Sequence, residues 1–221
     1  MKKRHIRDYA ELRPLVEEMG ILPLFPGAIQ GYSLWDYTDE ADWFQGDSEY
    51  DPWEWRCRAA AEGHLAYGKF FGGKAGFISR TWFPVFVNAR RRGLTFDAIR
   101  RKEKWPEDTR KVMALFQQEG EFPSNDVKKR SGLTRSFDRT VTLLQHKTYL
   151  LTTGFFRKRS KEGLEYGWST AILATAETYF GTQYVHSCSY DSWQDSRQEI
   201  LDHVAGMFPR APSRLLHLFL D

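Results

Sequence analysis

The stretch that decides the fold runs from 134 to 159, "TRSFDRTVTLLQHK" followed by "TYLLTTGFFRKR". In the first part Phe137, Val141 and Leu144 recur at i, i+4 and i+7, the spacing that puts side chains on one face of a helix. Arg135, Arg139, Thr142 and His146 fall on the opposite side, so the spacing predicts a helix with a core face and a polar, basic ridge. At Thr148 the period changes. Residues 148–159 are β-prone, and Leu164, Tyr166, Trp168, Thr170 and Ile172 alternate after the turn "SKEG", where Gly163 supplies a residue free to take positive φ. A helix therefore runs straight into a hairpin whose tip carries Arg157, Lys158, Arg159 and Lys161.

Two shorter helices precede it. Pro106 suits a first helical turn, Glu107 and Asp108 favour its positive end, and Val112, Leu115 and Phe116 make a stripe that Gly120 can close. Ser124 is a suitable N-cap for "NDVKKRS", and Gly132 lets the chain turn into the next helix. Three helices and a hairpin in this order predict a winged helix over 105–181.

The chain before it reads differently. Residues 4–19 are expected to form an amphipathic helix stopped by Gly20, followed by an irregular, aromatic and acidic segment from Ile21 to Arg56. "HLAYGKFFGGKAGFISR" places two β-prone runs around Gly72 and Gly73, and "TWFPVFVNARRRG" reads as a helix ending at Gly93. Residues 94–104 are a charged connection and the expected boundary. The predicted organisation is an N-terminal aromatic-rich unit over 1–104, a winged-helix domain over 105–181 and a C-terminal helical segment over 182–221. That last segment, "DSWQDSRQEILDHVAGMF" and "SRLLHLFL", is either a packing element or a dimer contact, through which the chain would form a homo-oligomer. The fold class is α+β of winged-helix type, with the C-terminal winged helix packed on the N-terminal unit.

Composition bounds the function. The chain has 221 residues, 41% of them hydrophobic, enough for a packed core. No window approaches the roughly 18–20 apolar residues that span a bilayer, so no membrane is expected and the protein is read as cytoplasmic. Cys57 and Cys188 have no metal-ligand spacing and are expected as free thiols. His186 and Cys188 lack a second pair, so no metal is expected. No phosphate-cradling glycine loop and no dinucleotide fingerprint is present, so no cofactor is expected either.

The net charge of +3 is unevenly spread: ten acids and no Lys, Arg or His lie between Arg13 and Arg56. The remainder is strongly basic. Within 134–161 seven cations (Arg135, Arg139, Lys147, Arg157, Lys158, Arg159 and Lys161) face one acid, Asp138. A winged helix that binds duplex DNA lays its third helix in the major groove and its wing over phosphates. These seven are the candidate nucleic-acid-binding residues and duplex DNA the expected partner. The alternative is a winged helix used for protein contacts, with ordinary solvated charges.

The segments "DPWEWR", "YGKFFGGKAGFIS", "WFPVFVNARR", "LLQHKTYL" and "EYGWSTAIL" resemble the AlkZ-related proteins, relatives of the AlkZ/YcaQ winged-helix DNA glycosylases. The resemblance runs from Gly20 to Phe180 and implies winged-helix units and DNA binding. It does not carry the chemistry over. Such glycosylases use a Gln-x-Gln motif after an N-terminal helix, one glutamine positioning the attacking water; the corresponding stretch here, "GILPLF" at 20–25, has none, and Gln30 and Gln45 stand alone. The expected function is DNA binding without base excision, the alternative a diverged repair glycosylase.

A second candidate site is the acidic, aromatic segment. Gln30, Trp35, Asp36, Trp53, Glu54, Trp55 and Arg56 could line a pocket that stacks on a flat ligand. The plainer expectation is that "DPWEWR" is a turn whose tryptophans fill the core, with Glu54 and Arg56 paired at the surface.

Overall fold

The structure, a computed structural model, describes residues 5–117, 120–160, 162–163, 165–189 and 192–220, with side chains for all of these except 158–159, 165–168 and 217–220. It is a mixed α+β fold with two antiparallel three-stranded sheets.

The first helix is shorter than its sequence pattern. Asp8 caps a 3-10 turn at Tyr9–Glu11, and α1 (Leu12–Met19) starts only there, burying Leu12, Leu15, Val16 and Met19. Gly20, at φ 71°, lets the chain reverse into β1 (Ile21–Pro23). The aromatic segment then contains a helix that the sequence pattern hides: α2 (Pro52–Glu62), not a turn. Asp51 is its N-cap, fully buried, and its carboxylate accepts from the backbone N–H groups of Trp53, Phe44 and Gly46. One carboxylate thus starts the helix and folds back the loop before it, holding Phe44 at φ 63°.

β2 (Leu65–Phe71) and β3 (Lys74–Ser79) form the expected hairpin over Gly72 and Gly73, both at positive φ, and β1 adds to the free edge of β3. Then come α3 (Phe83–Arg91) and α4 (Phe96–Lys102). The expected connection at 94–104 is thus mostly helical: Thr95 caps the N–H of Ala98, and Ile99 is buried. Its charges concealed apolar anchors, Ile99 in the core with Leu94 and Phe96 packed against it.

α5 (Glu107–Met113), with a 3-10 turn at Ala114–Phe116, precedes β4 (Phe122–Pro123), α6 (Ser124–Ser131) and α7 (Phe137–His146). β5 (Leu150–Arg159) and β6 (Glu165–Thr175) follow as a long hairpin, and β4 pairs with β6 to give the order β4-β6-β5. α8 (Ala176–Phe180), α9 (Thr182–Val185), α10 (Trp193–Met207) and α11 (Ser213–Leu220) close the chain.

Two hydrophobic cores result. One joins Val16, Ile21, Trp55, Phe70, Phe77 and Phe86 from the first half to Ala176, Val185, Ile200 and Val204 from the last. The other joins Ile99, Val112, Phe116, Val127, Phe137, Leu144, Tyr149 and Leu173. The C-terminal helices pack within the chain: Asn88 of α3 donates to Ser196 of α10 (2.9 Å), and His203 stacks on Trp82 with ring centroids 4.1 Å apart.

The cores meet at a polar seam. Arg91 is 1% exposed and holds the α7–β5 turn, its Nε donating to Thr148 Oγ1 at 3.1 Å and another guanidinium nitrogen to the Thr148 carbonyl. It also ion-pairs with Glu177 of α8, whose carboxylate lies 3.0 Å from His186 Nε2. Thr148 sits at φ 63°, rare for a β-branched residue.

Candidate nucleic-acid interface

α7 positions the predicted ridge, but its two ends differ. Phe137, Val141 and Leu144 enter the core as their spacing requires. Arg135 and Arg139, at the N-terminal end, are exposed. His146 is buried instead of lying on an open ridge, because the β2–β3 hairpin covers this end of the helix. Its Nδ1 is 3.1 Å from the Phe70 carbonyl, with the Arg90 guanidinium against the same residue. Beside it Gln145 accepts from the Lys69 backbone N–H at 3.1 Å and donates to Thr152 Oγ1 at 2.9 Å. Thr142 is reached by the Lys69 ammonium at 3.5 Å. Only the first half of α7 is open to a partner.

α6 adds further cations. Lys128, Lys129 and Arg130 are all exposed. Lys128 lies 5.7 Å over the Phe137 ring and Arg130 4.6 Å over Phe122, contacts that steady the side chains and leave their charges in water. Among the described residues none of Lys128, Lys129, Arg130, Arg135 and Arg139 is paired with a carboxylate. Asp126 and Asp138 are the acids within these two helices. Sequence reasoning left out the α6 cations, although the run "KKR" at 128–130 was a visible signal.

The hairpin cations fare differently. Arg157 is exposed but bound: its guanidinium pairs with Glu54 of α2 at 3.1 Å. That replaces the expected Glu54–Arg56 surface pair. Lys158 and Arg159 are described through their backbone pairing with Tyr166 and Glu165 alone, and Lys161 lies outside the described residues. Lys147 is half-buried at the end of α7.

The second group of candidates is dispersed. Trp55 is fully buried and donates its indole N–H to the Glu49 carbonyl. Trp35 packs on Phe25 and Trp43, and Asp36 accepts from Ser33 Oγ at 2.5 Å. Gln30 lines a separate cavity beside Phe208 and Leu215. Trp53 and Arg56 come together on a cleft of about 360 Å³ between the β2–β3 hairpin and β5–β6. Arg56 is buried, its guanidinium 3.8 Å from the Trp53 ring centroid and 4.3 Å from that of Phe155. Burial pushes the adjacent Tyr67 phenol up to about 12 against the opposing pull of Arg56.

The stretch 20–25 is structural. Ile21, Leu22 and Leu24 are buried, and β1 pairs along β3. Gln45 ties its own loop by donating to the carbonyls of Ala41 and Trp43, both at 3.1 Å. Neither Cys57 nor Cys188 is in a disulfide. Among the described residues no cluster of three or more His, Cys, Asp or Glu could hold a metal ion, and no helix is long and apolar enough to cross a membrane.

The fold and this surface define a class: a mixed α+β chain of two small antiparallel sheets with exposed cations on α6 and at the start of α7. Residues 6–221 match the family model described as AlkZ related, and the chain belongs to that family. No curated protein and no solved structure matches it.

Proposed function

We propose that residues 105–181 form a winged-helix domain that binds duplex DNA, supported by the N-terminal unit over 1–104 and the C-terminal segment over 182–221, and that the chain lacks base-excision chemistry. One observation carries the reading: Lys128, Lys129 and Arg130 of α6 and Arg135 and Arg139 at the start of α7 are all exposed and, among the described residues, pair with no carboxylate. In helix-turn-helix docking the N-terminal residues of the recognition helix meet the base edges while flanking cations hold phosphates. The half of α7 left open by the β2–β3 hairpin is the half this docking uses. The relation of the family to AlkZ-type glycosylases supports the same partner.

Fluorescence anisotropy with a labelled duplex tests it. If all five cations reach phosphates, log K falls against log salt with a slope of about −4 to −5, from roughly −0.9 per contact. Arg135→Glu with Arg139→Glu should abolish retention at a salt concentration where the parent binds. No retention of duplex at low salt by folded protein would refute the proposal. One observation favours a second reading, a winged helix kept for protein contacts: α7 already gives half its outer face to the hairpin of its own chain.

A further inference from the structure

We propose that the cleft floored by Arg56 is a binding site for a planar aromatic molecule carrying an anionic group, a carboxylate or a phosphate. The site lies apart from the DNA-binding face, for none of the five α6–α7 cations lines it.

Charge sets the sign of the ligand. Arg56, Lys69 and Lys74 line the cleft, and among the described residues no Asp, Glu or His does. Arg56 is 4% exposed, and among the described residues no carboxylate pairs with it. The neighbouring acid, Glu54, is taken by Arg157. Arg56 Nε has no hydrogen-bond partner. A guanidinium taken out of water without a counter-ion is costly, and aromatic rings recover only part of that cost. An anion in the cleft would complete the site. Lys69 and Lys74 are exposed at the rim, where their neutral partners, Thr142 Oγ1 and the Pro26 carbonyl, leave both positive charges uncompensated.

Shape sets the rest. Phe25, Trp53 and Phe155 form apolar walls, and about 360 Å³ lies near the lower end of the range of small-molecule sites, suited to one or two fused rings with a charged substituent. Gln145 of α7 also lines the cleft and accepts from the Lys69 N–H, so an occupant would touch the junction that covers the end of α7.

The test titrates the full chain, without DNA, with two matched pairs: 2-naphthoate against 2-naphthamide, and adenosine 5′-monophosphate against adenosine. Calorimetry reads affinity. In at least one pair the anion should bind at least about tenfold more tightly than its neutral partner, a gap of about 1.4 kcal/mol. The pair that responds identifies carboxylate or phosphate as the source of charge. Arg56→Met should weaken that anion at least about tenfold in a folded sample. Because a buried substitution risks misfolding, Lys69→Glu at the exposed rim provides the second variant and should weaken the anion without affecting its neutral partner. Neutral and anionic members binding alike, no binding of either anion by about 1 mM, or unchanged anion affinity in both variants would overturn the proposal. A duplex titration on the same preparation separates the two readings: retention of DNA with no anion binding rejects the cleft alone.

Discussion

Replacing Arg91 by Met removes the group that ties the two cores together. The substitution keeps a long apolar stem against Tyr149, over whose ring the guanidinium lies at 4.3 Å, but deletes the hydrogen bonds to Thr148 and the ion pair with Glu177. Arg91 is 1% exposed and the Glu177 side chain 28%, so the carboxylate is left in a poorly solvated place with His186 as its neighbour. Breaking such a pair from one side costs about 3–5 kcal/mol. In a chain of this size each kcal/mol moves the melting midpoint by about 2–4 °C, so the variant should melt roughly 6–20 °C lower. The loss should also depend on pH. Burial works to raise the Glu177 pKa, but the Arg91 charge and hydrogen bond outweigh it and leave the carboxyl below its ordinary 4.5. A depressed folded-state pKa contributes stability that is present above the unfolded value and fades as pH falls through the folded one. Urea unfolding followed by tryptophan fluorescence at pH 7 and near pH 3 should therefore show a wide gap between parent and variant that narrows in acid. A loss under about 1 kcal/mol at pH 7, or a gap that does not narrow, would refute the reasoning.

Gly76→Ala should destabilise by about 1–3 kcal/mol, since a Cβ there would stand 2.6 Å from the Leu22 carbonyl oxygen and 2.7 Å from Pro23 Cα; an unshifted urea midpoint would contradict the β1–β3 register. On duplexes carrying a methylated purine the protein should bind without releasing base, because Ile21, Leu22 and Leu24 are buried and offer nothing to orient a water. Base release that disappears on changing Asp36 or Glu54 to Ala would overturn this and favour a diverged glycosylase.

Local periodicity made the middle of the chain legible. Phe137, Val141 and Leu144 enter the core, β5 and β6 pair around the turn that contains Gly163, and Gly72–Gly73 turns the first hairpin. What escaped depends on partners far apart in sequence. Helical spacing assigns His146 a side of α7, yet only the fold brings the Phe70 carbonyl to it across 76 residues. Glu54 and Arg157 are separated by 103 residues, so the near neighbours Glu54 and Arg56 look like the natural pair. α2 is a different failure, because its start was written locally in Asp51, Pro52 and Glu54. Its tryptophans at 53 and 55 suggest alternation, and that obscured the helical signal. Of the candidate sites, the basic α7 start was readable from spacing. Of the cleft only Trp53 and Arg56 were, since the rest of its lining comes from the segment after β1, both hairpins and α7.

The way the two cores are threaded bears on how the molecule is born. The middle core takes its residues from Ile99 to Leu173, one continuous stretch, so a chain leaving the ribosome can close it early. The other core opens with Ile6 and still awaits Ile200 and Val204, nearly the whole chain later. Through most of synthesis α3 therefore presents the apolar face that α10 later covers, although β1 and β3 can already pack on α1. The nascent protein is vulnerable to aggregation at that face of α3, and the arrival of α10 ends the exposure.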